Sequence, residues 1–458
     1  MTRYEEPRSS LGAQHLRRSS SEEQGTGRCV LLGFLEAMTT IRTPVKNTDN
    51  PFRSFRERNV RIFFGGIAIS NIGTWAQLTV LILLVRELGG GGLELGIVTA
   101  CRFAPLLFLG LYAGAVADRV DRHRRTMQLQ AALGVLALVL GFIDWRNWET
   151  LPVLYGISMA QGFLTAFDNP TRRTMVTEMV PPEQLANVLA LSTSVMTGSR
   201  LFGPALGAVL ATTIGTYGAF FLNGFSYLVF LLAMNTMDTS RFHLLPRSPK
   251  SPTPIRDGLR EMWADPVLRI TLGGFALITT FAFNHTVAFP LTVTERLQQP
   301  DEYYGYLLSV MSIGSIAGSL FVARLVVVSQ RFMLICGALL GASLAAFSFA
   351  TATWLAFVLV IPLGAGMTSY LNSSNIIVQQ RTSPEIRSRV LALISVIFLG
   401  STPIGAPITG IIGDEFGAVW ANLYGALIIG GVLFITLPAL KLVTGSLNPI
   451  ESAQARAT

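Results

Sequence analysis

The sequence predicts an all-α membrane protein: twelve transmembrane helices in two six-helix bundles related by a parallel repeat. Three observations carry that expectation. Only 14% of the 458 residues are charged, against 50% hydrophobic, little more than half the charge of a soluble domain. Apolar stretches close to the roughly 20 residues that cross a bilayer recur along the chain. The second half also matches the first in ungapped register at an offset of 202 positions. The formal charge of +8 is by itself compatible with nucleic acid, an acidic partner or membrane topology, so its placement decides.

Residues 1–51 are rich in Ser, Arg, Glu, Gly and Thr without apolar periodicity and read as a disordered cytoplasmic segment. The apolar run from Cys29 to Met38 is broken by Glu36 and too short to span. Translation from Met38 would leave residues 1–37 out of the native protein; an intact mass decides this. FRSFRERNVRIFF (52–64) alternates basic and apolar positions at helical spacing, as a segment lying along the membrane face does. The first bundle (52–237) then holds spans at 62–85, 95–117, 126–143, 151–171, 187–211 and 216–237. A linker (238–266) opens Pro- and Ser-rich and turns amphipathic through Ile255, Leu259, Met262 and Trp263. The second bundle (267–441) holds spans at 270–293, 304–323, 332–350, 353–376, 390–412 and 418–440, and 442–458 is a cytoplasmic tail.

Of 35 Lys and Arg residues, 29 fall in the termini and the connections on their side, 3 in the alternate connections, and 3 inside spans. This positive-inside bias places both termini in the cytoplasm of a multi-pass protein of the inner (plasma) membrane. It also removes the basic surface that nucleic-acid binding needs. Lys46, Lys250 and Lys441 follow no phosphate-binding glycine run. The histidines (His15, His123, His243, His285) and cysteines (Cys29, Cys101, Cys336) are scattered, so neither a metal site nor a cofactor nor an enzymatic cluster is expected.

At the 202-residue offset, Pro384, Glu385 and 390–393 fall on Pro182, Glu183 and 188–191, while Gly400, Gly405 and Gly417 fall on Gly198, Gly203 and Gly215. Equivalent spans thus run in the same direction, an arrangement used by rocking secondary transporters.

The loop after the second span reads Gly114-Ala-Val-Ala-Asp118-Arg119-Val-Asp121-Arg122-His123-Arg124-Arg125. It resembles the major facilitator superfamily signature G-x-x-x-D-R-x-G-R-R, with Asp121 in place of the second Gly. The resemblance implies that Gly114, Asp118, Arg119 and Arg122 belong to a cytoplasmic latch between the halves. Gly198-x4-Gly203-Pro204-x2-Gly207 is similar to the Gly-Pro motif of facilitator exporters, with Ala208 where a further Gly is usual. Small residues there allow close helix packing and Pro204 a kink. Together with Ser70-Asn71-Ile72-Gly73-Thr74-Trp75, DNPTRR (168–173) and SRLFGPALG (199–207), these make residues 52–440 resemble the exporter branch that contains enterobactin exporters and transmembrane secretion effectors. The resemblance implies alternating-access export of a small amphipathic compound, siderophore or drug-like, with protons as coupling partner, in a monomer. Uptake of a small metabolite is the alternative direction.

Polar groups inside spans are candidate sites because lipid penalises them. Arg200 lies near mid-membrane and Arg102 some seven residues below the outer end of its span. Each can bind an anion such as a carboxylate, pair with a fixed acid or carbonyl, or, for Arg102, snorkel. Asp168 can join the latch through Arg119 or Arg122, or carry a proton. His285 is the other titratable candidate. Asn71, Trp75, Asn223, Asn284, Asn372 and Asn375 are candidates to line the cavity or to bond helix to helix.

Overall fold

The chain divides into two compact units, Met1–Asp49 and Asn50–Thr458. In the computed structural model the described residues are 53–117, 120–243, 263, 265–325, 328–382 and 387–444, all in the second unit. The leader, Asp118, Arg119, most of the linker with its amphipathic stretch, and the tail beyond 444 lie outside them.

The described residues are helical almost throughout. The long helices are α1 (Arg58–Glu87), α2 (Gly92–Ala117), α3 (Arg122–Trp145), α4 (Leu151–Glu178), α5 (185–214) and α6 (216–235). They continue with α7 (Pro266–Ala282), α8 (Tyr303–Ala323), α9 (Gln330–Ser348), α10 (Thr353–Arg381), α11 (Arg387–Phe416) and α12 (Ala418–Thr444). Ten helical stretches are long and apolar enough to cross a membrane among the described residues. One of these, Asn187–Asn235, contains the α5–α6 junction. α4 is as long, but it carries Asp168, Arg172, Arg173 and Glu178.

Local chemistry sets the starts. Asp121, the residue that departs from the signature, caps α3 by accepting from Arg124 N at 3.0 Å. Asp265 caps α7 ahead of Pro266, and Ser329 caps α9. α5 and α6 form one continuous run except at Gly215, whose φ of +77° and ψ of 168° only glycine adopts readily. Gly417, at the 202-residue offset, has φ +86° and separates α11 from α12. α7 departs most from a single straight span. It stops at Phe283–Asn284, resumes as the short helix His285–Leu291, and ends in a π-turn at Thr292–Arg296. Such interruptions concentrate at functional positions.

Between helices in lipid, close approach replaces the hydrophobic effect as the source of cohesion. A Cβ on Gly203 would overlap Trp75 of α1, and one on Gly207 would meet the Ala76 carbonyl at 2.6 Å. α5 therefore sits directly on α1. Gly405, the counterpart of Gly203, sits equally close to the Thr280 carbonyl of α7. Gly198 differs from the packing role expected for it, since nothing lies within 4 Å of its would-be Cβ. α1 packs chiefly with α5–α6, α2 with α4, α8 with α10, and α9 with α10 and α12. The main contacts between residues 53–243 and 265–444 are α2 with α11 and α5 with α8.

Candidate functional site: a two-gated interior

The described chain ends at 53 and 444 lie at one end of the helices, here the terminal end; the loops at 88–91 and 297–302 lie at the far end. α2 and α11 meet at the far end. Asp414 on α11 accepts from Gly92 N at 2.6 Å and Leu93 N at 2.8 Å, capping the first turn of α2 from the opposite half. Gly92 and Gly410 allow this, because a Cβ on either would run into the backbone of the other. Beside it Arg86 donates to Thr294 at 3.2 Å and pairs with Asp301 at 3.6 Å. Burial pushes the Asp301 carboxyl above its usual range, against the pull of Arg86. Farther along α2, Leu95 and Val98 are buried, and Phe108 and Tyr112, past the Leu107–Gly400 contact, are 77% and 64% exposed.

The second seam is made by a proline. Pro204 has no N–H, so the carbonyl four residues earlier, that of Arg200, loses its helical donor. Ser312 Oγ of α8 shares its proton between Leu308 O of its own helix at 2.9 Å and that carbonyl at 3.2 Å, and Ala205 N donates to Ser309 Oγ at 3.0 Å. Backbone groups released within α5 thus join the two halves.

Between the seams lies the polar interior. The Arg200 guanidinium lies over Trp75, its Cζ 4.8 Å from the ring centroid. Arg200 is exposed although it stands among α1, α5 and α8. Among the described residues no hydrogen bond or ion pair engages its side chain. Arg102 does not snorkel: it donates to Gln161 of α4 at 2.5 Å beside Tyr227. His285 contacts Met367 Sδ at 3.2 Å and is ringed by Phe283 and Phe289, with Phe398 of α11 against Phe283. A cleft of about 10 Å³ beside His285, lined by Asn284 and Asn422, has room for about one water and is far below the roughly 300–1,000 Å³ of a drug-sized site.

Several expected roles change. Asp168 pairs with Arg172 one turn along α4, at 3.2 Å, while Arg122 pairs with Glu178. Asp168 and Arg122 are therefore not partners, each having a nearer ion pair; a pairing of Asp168 with Arg119 lies outside the described residues. Asp118 and Arg119 lie outside the described residues, and Gly114 is in α2. Arg172 also donates to Asn169 and to Asn71 of α1, at 3.2 and 3.3 Å. Asn223 is 2% exposed and bonded to Gln77 and Ser226, a helix-to-helix tie. Asn284 donates to Thr280 O at the break in α7, Asn372 to Ser319, and Asn375 to its own helix. Arg172, Gln161, Ser309, Ser312 and Asp414 were not foreseen. DNPTRR carried a signal for Arg172, since its acid and first arginine are four apart.

The family model described as transmembrane secretion effector matches residues 49–455. The chain is a member of this transmembrane secretion effector family. It is a multi-pass membrane transporter of the major facilitator type, not an enzyme. The chain is 26% identical to the multidrug efflux pump Tap of Mycolicibacterium fortuitum, over 78% of its length and 90% of the pump's. It is 26% identical to macrolide efflux protein A of Streptococcus pyogenes, over 80% and 92%. In fold it is similar to a bacterial homologue of the ferroportin iron transporter solved in an inward-facing state. The TM-score is 0.65 at 15% identity, over 83% of this secretion effector chain and 98% of that one.

Proposed function

We propose that the protein is an exporter of a small amphipathic compound, siderophore or drug-like, that works by alternating access across the plasma membrane. The observation that carries this reading is the asymmetry of the interior. The halves are tied at the far end by Asp414 and Arg86 and at mid-depth by Ser309 and Ser312, whereas Phe108 and Tyr112, farther along α2, are exposed. The excess of basic residues at the terminal end supports a cytoplasmic placement, and we take the arrangement as an inward-facing state, with Arg200 and Trp75 reached from the cell interior.

Twelve spans fit this reading. α4 crosses despite its polar residues because they pair within the protein. The 49 residues Asn187–Asn235 would measure about 74 Å as one helix, more than twice a bilayer core, and Gly215 divides them. The positive φ at both Gly215 and Gly417 and the like seating of Gly203 and Gly405 support two six-helix halves built as a parallel repeat. We take the halves as 52–237 and 267–441, joined by the cytoplasmic linker 238–266. The segments 1–51 and 442–458 are likewise cytoplasmic, and the working unit is a monomer. Outward opening breaks the Asp414 and Arg86 contacts while the latch containing Asp118, Arg119 and Arg122 closes the cytoplasmic side. The two efflux relatives support the outward direction.

The test is accumulation in a host lacking its own drug pumps, using a panel of macrolides, dyes and aromatic acids. Expression should lower the intracellular level of at least one compound. Raised levels would make the protein an uptake permease instead.

A further inference from the structure

We infer that the exposed arginines at the start of α1 bind the headgroups of anionic phospholipids in the leaflet at the terminal end. This contact is separate from the transported compound and holds whichever way that compound moves.

Charge is concentrated there. Arg53, Arg56, Arg58 and Arg61 fall within nine residues and are all exposed, with Glu57 the one acid between them. Arg61 donates to the carbonyls of Phe55 and Arg56, at 2.9 and 3.2 Å, which holds its guanidinium beside the short turn Arg53–Arg56. Among the described residues the side chains of Arg56 and Arg58 meet no acceptor. A phosphodiester offers two oxygens that accept from a guanidinium fork in bidentate fashion.

The arginines also stand on a fixed base. Ser54 is buried, and its N–H donates to Asn187 Oδ1 at the start of α5, at 3.0 Å. Asn59, likewise buried, exchanges two hydrogen bonds with the backbone of Asp238 just past α6, at 2.8 and 3.0 Å. Phe55 meets Phe64 edge to face, and Phe63 meets Phe230 of α6. Phe63 and Phe64 are buried, so the apolar side of the segment is turned into the protein and the basic side outward.

Depth selects lipid as the partner. The exposed face of α1 runs Arg58, Arg61, Gly65, Ile69, at spacings of three and four that keep one side of a helix. It is basic and then apolar, the order a helix face follows from headgroups to hydrocarbon. Arg86, tied to Thr294 and Asp301, marks the far end of the same helix. A hydrocarbon core of about 20 residues counted back from Val85 ends near Gly66. Arg61 and Arg58 then stand about 8 and 12 Å beyond its edge, where their side chains reach the phosphate layer.

The experiment uses the full chain in neutral detergent, mixed with palmitoyl-oleoyl phosphatidylglycerol or with phosphatidylcholine of the same chains. Lipid that stays with the protein through size exclusion is quantified by mass spectrometry. We expect phosphatidylglycerol to be retained about tenfold more than phosphatidylcholine, a preference that high salt erases. Arg56→Gln, Arg58→Gln and Arg61→Gln combined should bring it down to about twofold or less, while Lys at the same three positions should keep most of it. Arg269→Gln, Arg324→Gln and Arg331→Gln combined, at exposed arginines of the other half, should leave it unchanged. Should the first combination elute as misfolded, Arg56→Gln with Arg58→Gln decides by the same criterion, since neither side chain bonds a described residue. Equal retention of the two lipids, a preference that survives the Gln variants, or an equal loss in the variants of the other half would each overturn the inference. Displacement of phosphatidylglycerol by millimolar glycerol 3-phosphate, the headgroup chemistry without chains, would also overturn it, in favour of a site for a free anion. The accumulation assay judges the exporter reading separately.

Discussion

At the scale of single residues, the interior is organised by which charges have partners. Asp168 is buried, and its only ionic partner among the described residues is Arg172. Removing one member of such a pair strands the other at a cost of about 3–5 kcal/mol, whereas removing both costs far less. Arg172→Gln should therefore lose most folded protein in detergent, measured by fluorescence-detected size exclusion. Asp168→Asn added to it should restore the protein. If the double variant is no better than the single, the pair does not act as a unit. This pair also shows where sequence reading stops. The penalty lipid places on acids marks Asp168 in the sequence, but the arginines of the signature loop, not Arg172, stand out there as its partners. A one-dimensional reading ends the span at 171, while the helix runs to Glu178 and keeps Arg172 on the same face. Arg200 was equally visible as a mid-span charge. Its isolation was not, because an unpaired donor is a property of every neighbour at once.

At the scale of elements, glycine and proline place the breaks and the seams. Gly215 turns α5 into α6 with a backbone open only to glycine, so Gly215→Ala should cost about 1–3 kcal/mol. Gly198→Ala, in a helix with nothing near its Cβ, should be neutral or stabilising by roughly 0.5–1 kcal/mol. Thermal midpoints of the two purified variants should fall on opposite sides of the parent. A Gly198→Ala protein as unstable as Gly215→Ala would show close packing at 198. Gly203 and Gly207, which the spacing of small residues singles out in the sequence, lie against α1. That spacing does not reveal that Pro204 frees the Arg200 carbonyl for Ser312, or that Ala205 N bonds Ser309, since serines in a span have no periodic signature. The interruption of α7 at Asn284 was likewise hidden in an apolar run.

At the scale of the whole molecule, the helical membrane architecture was legible in composition and hydropathy, because a bilayer imposes length and charge rules that any sequence must show. The state of the gates was not. Asp414 lies just beyond the last apolar residues of its span and reads as an ordinary loop acid, yet it caps a helix that begins 322 residues earlier. In the alternating-access cycle proposed here, this far-end seam opens at every turnover. Gly91 lies close enough for its would-be Cβ to be 3.3 Å from Asp414 Cγ, so Gly91→Cys with Asp414→Cys should form a disulfide across the halves. The most direct test is efflux by this double variant in liposomes, before and after oxidation. The account predicts that oxidation stops efflux and that a reductant restores it; undiminished efflux with the disulfide fully formed would contradict it.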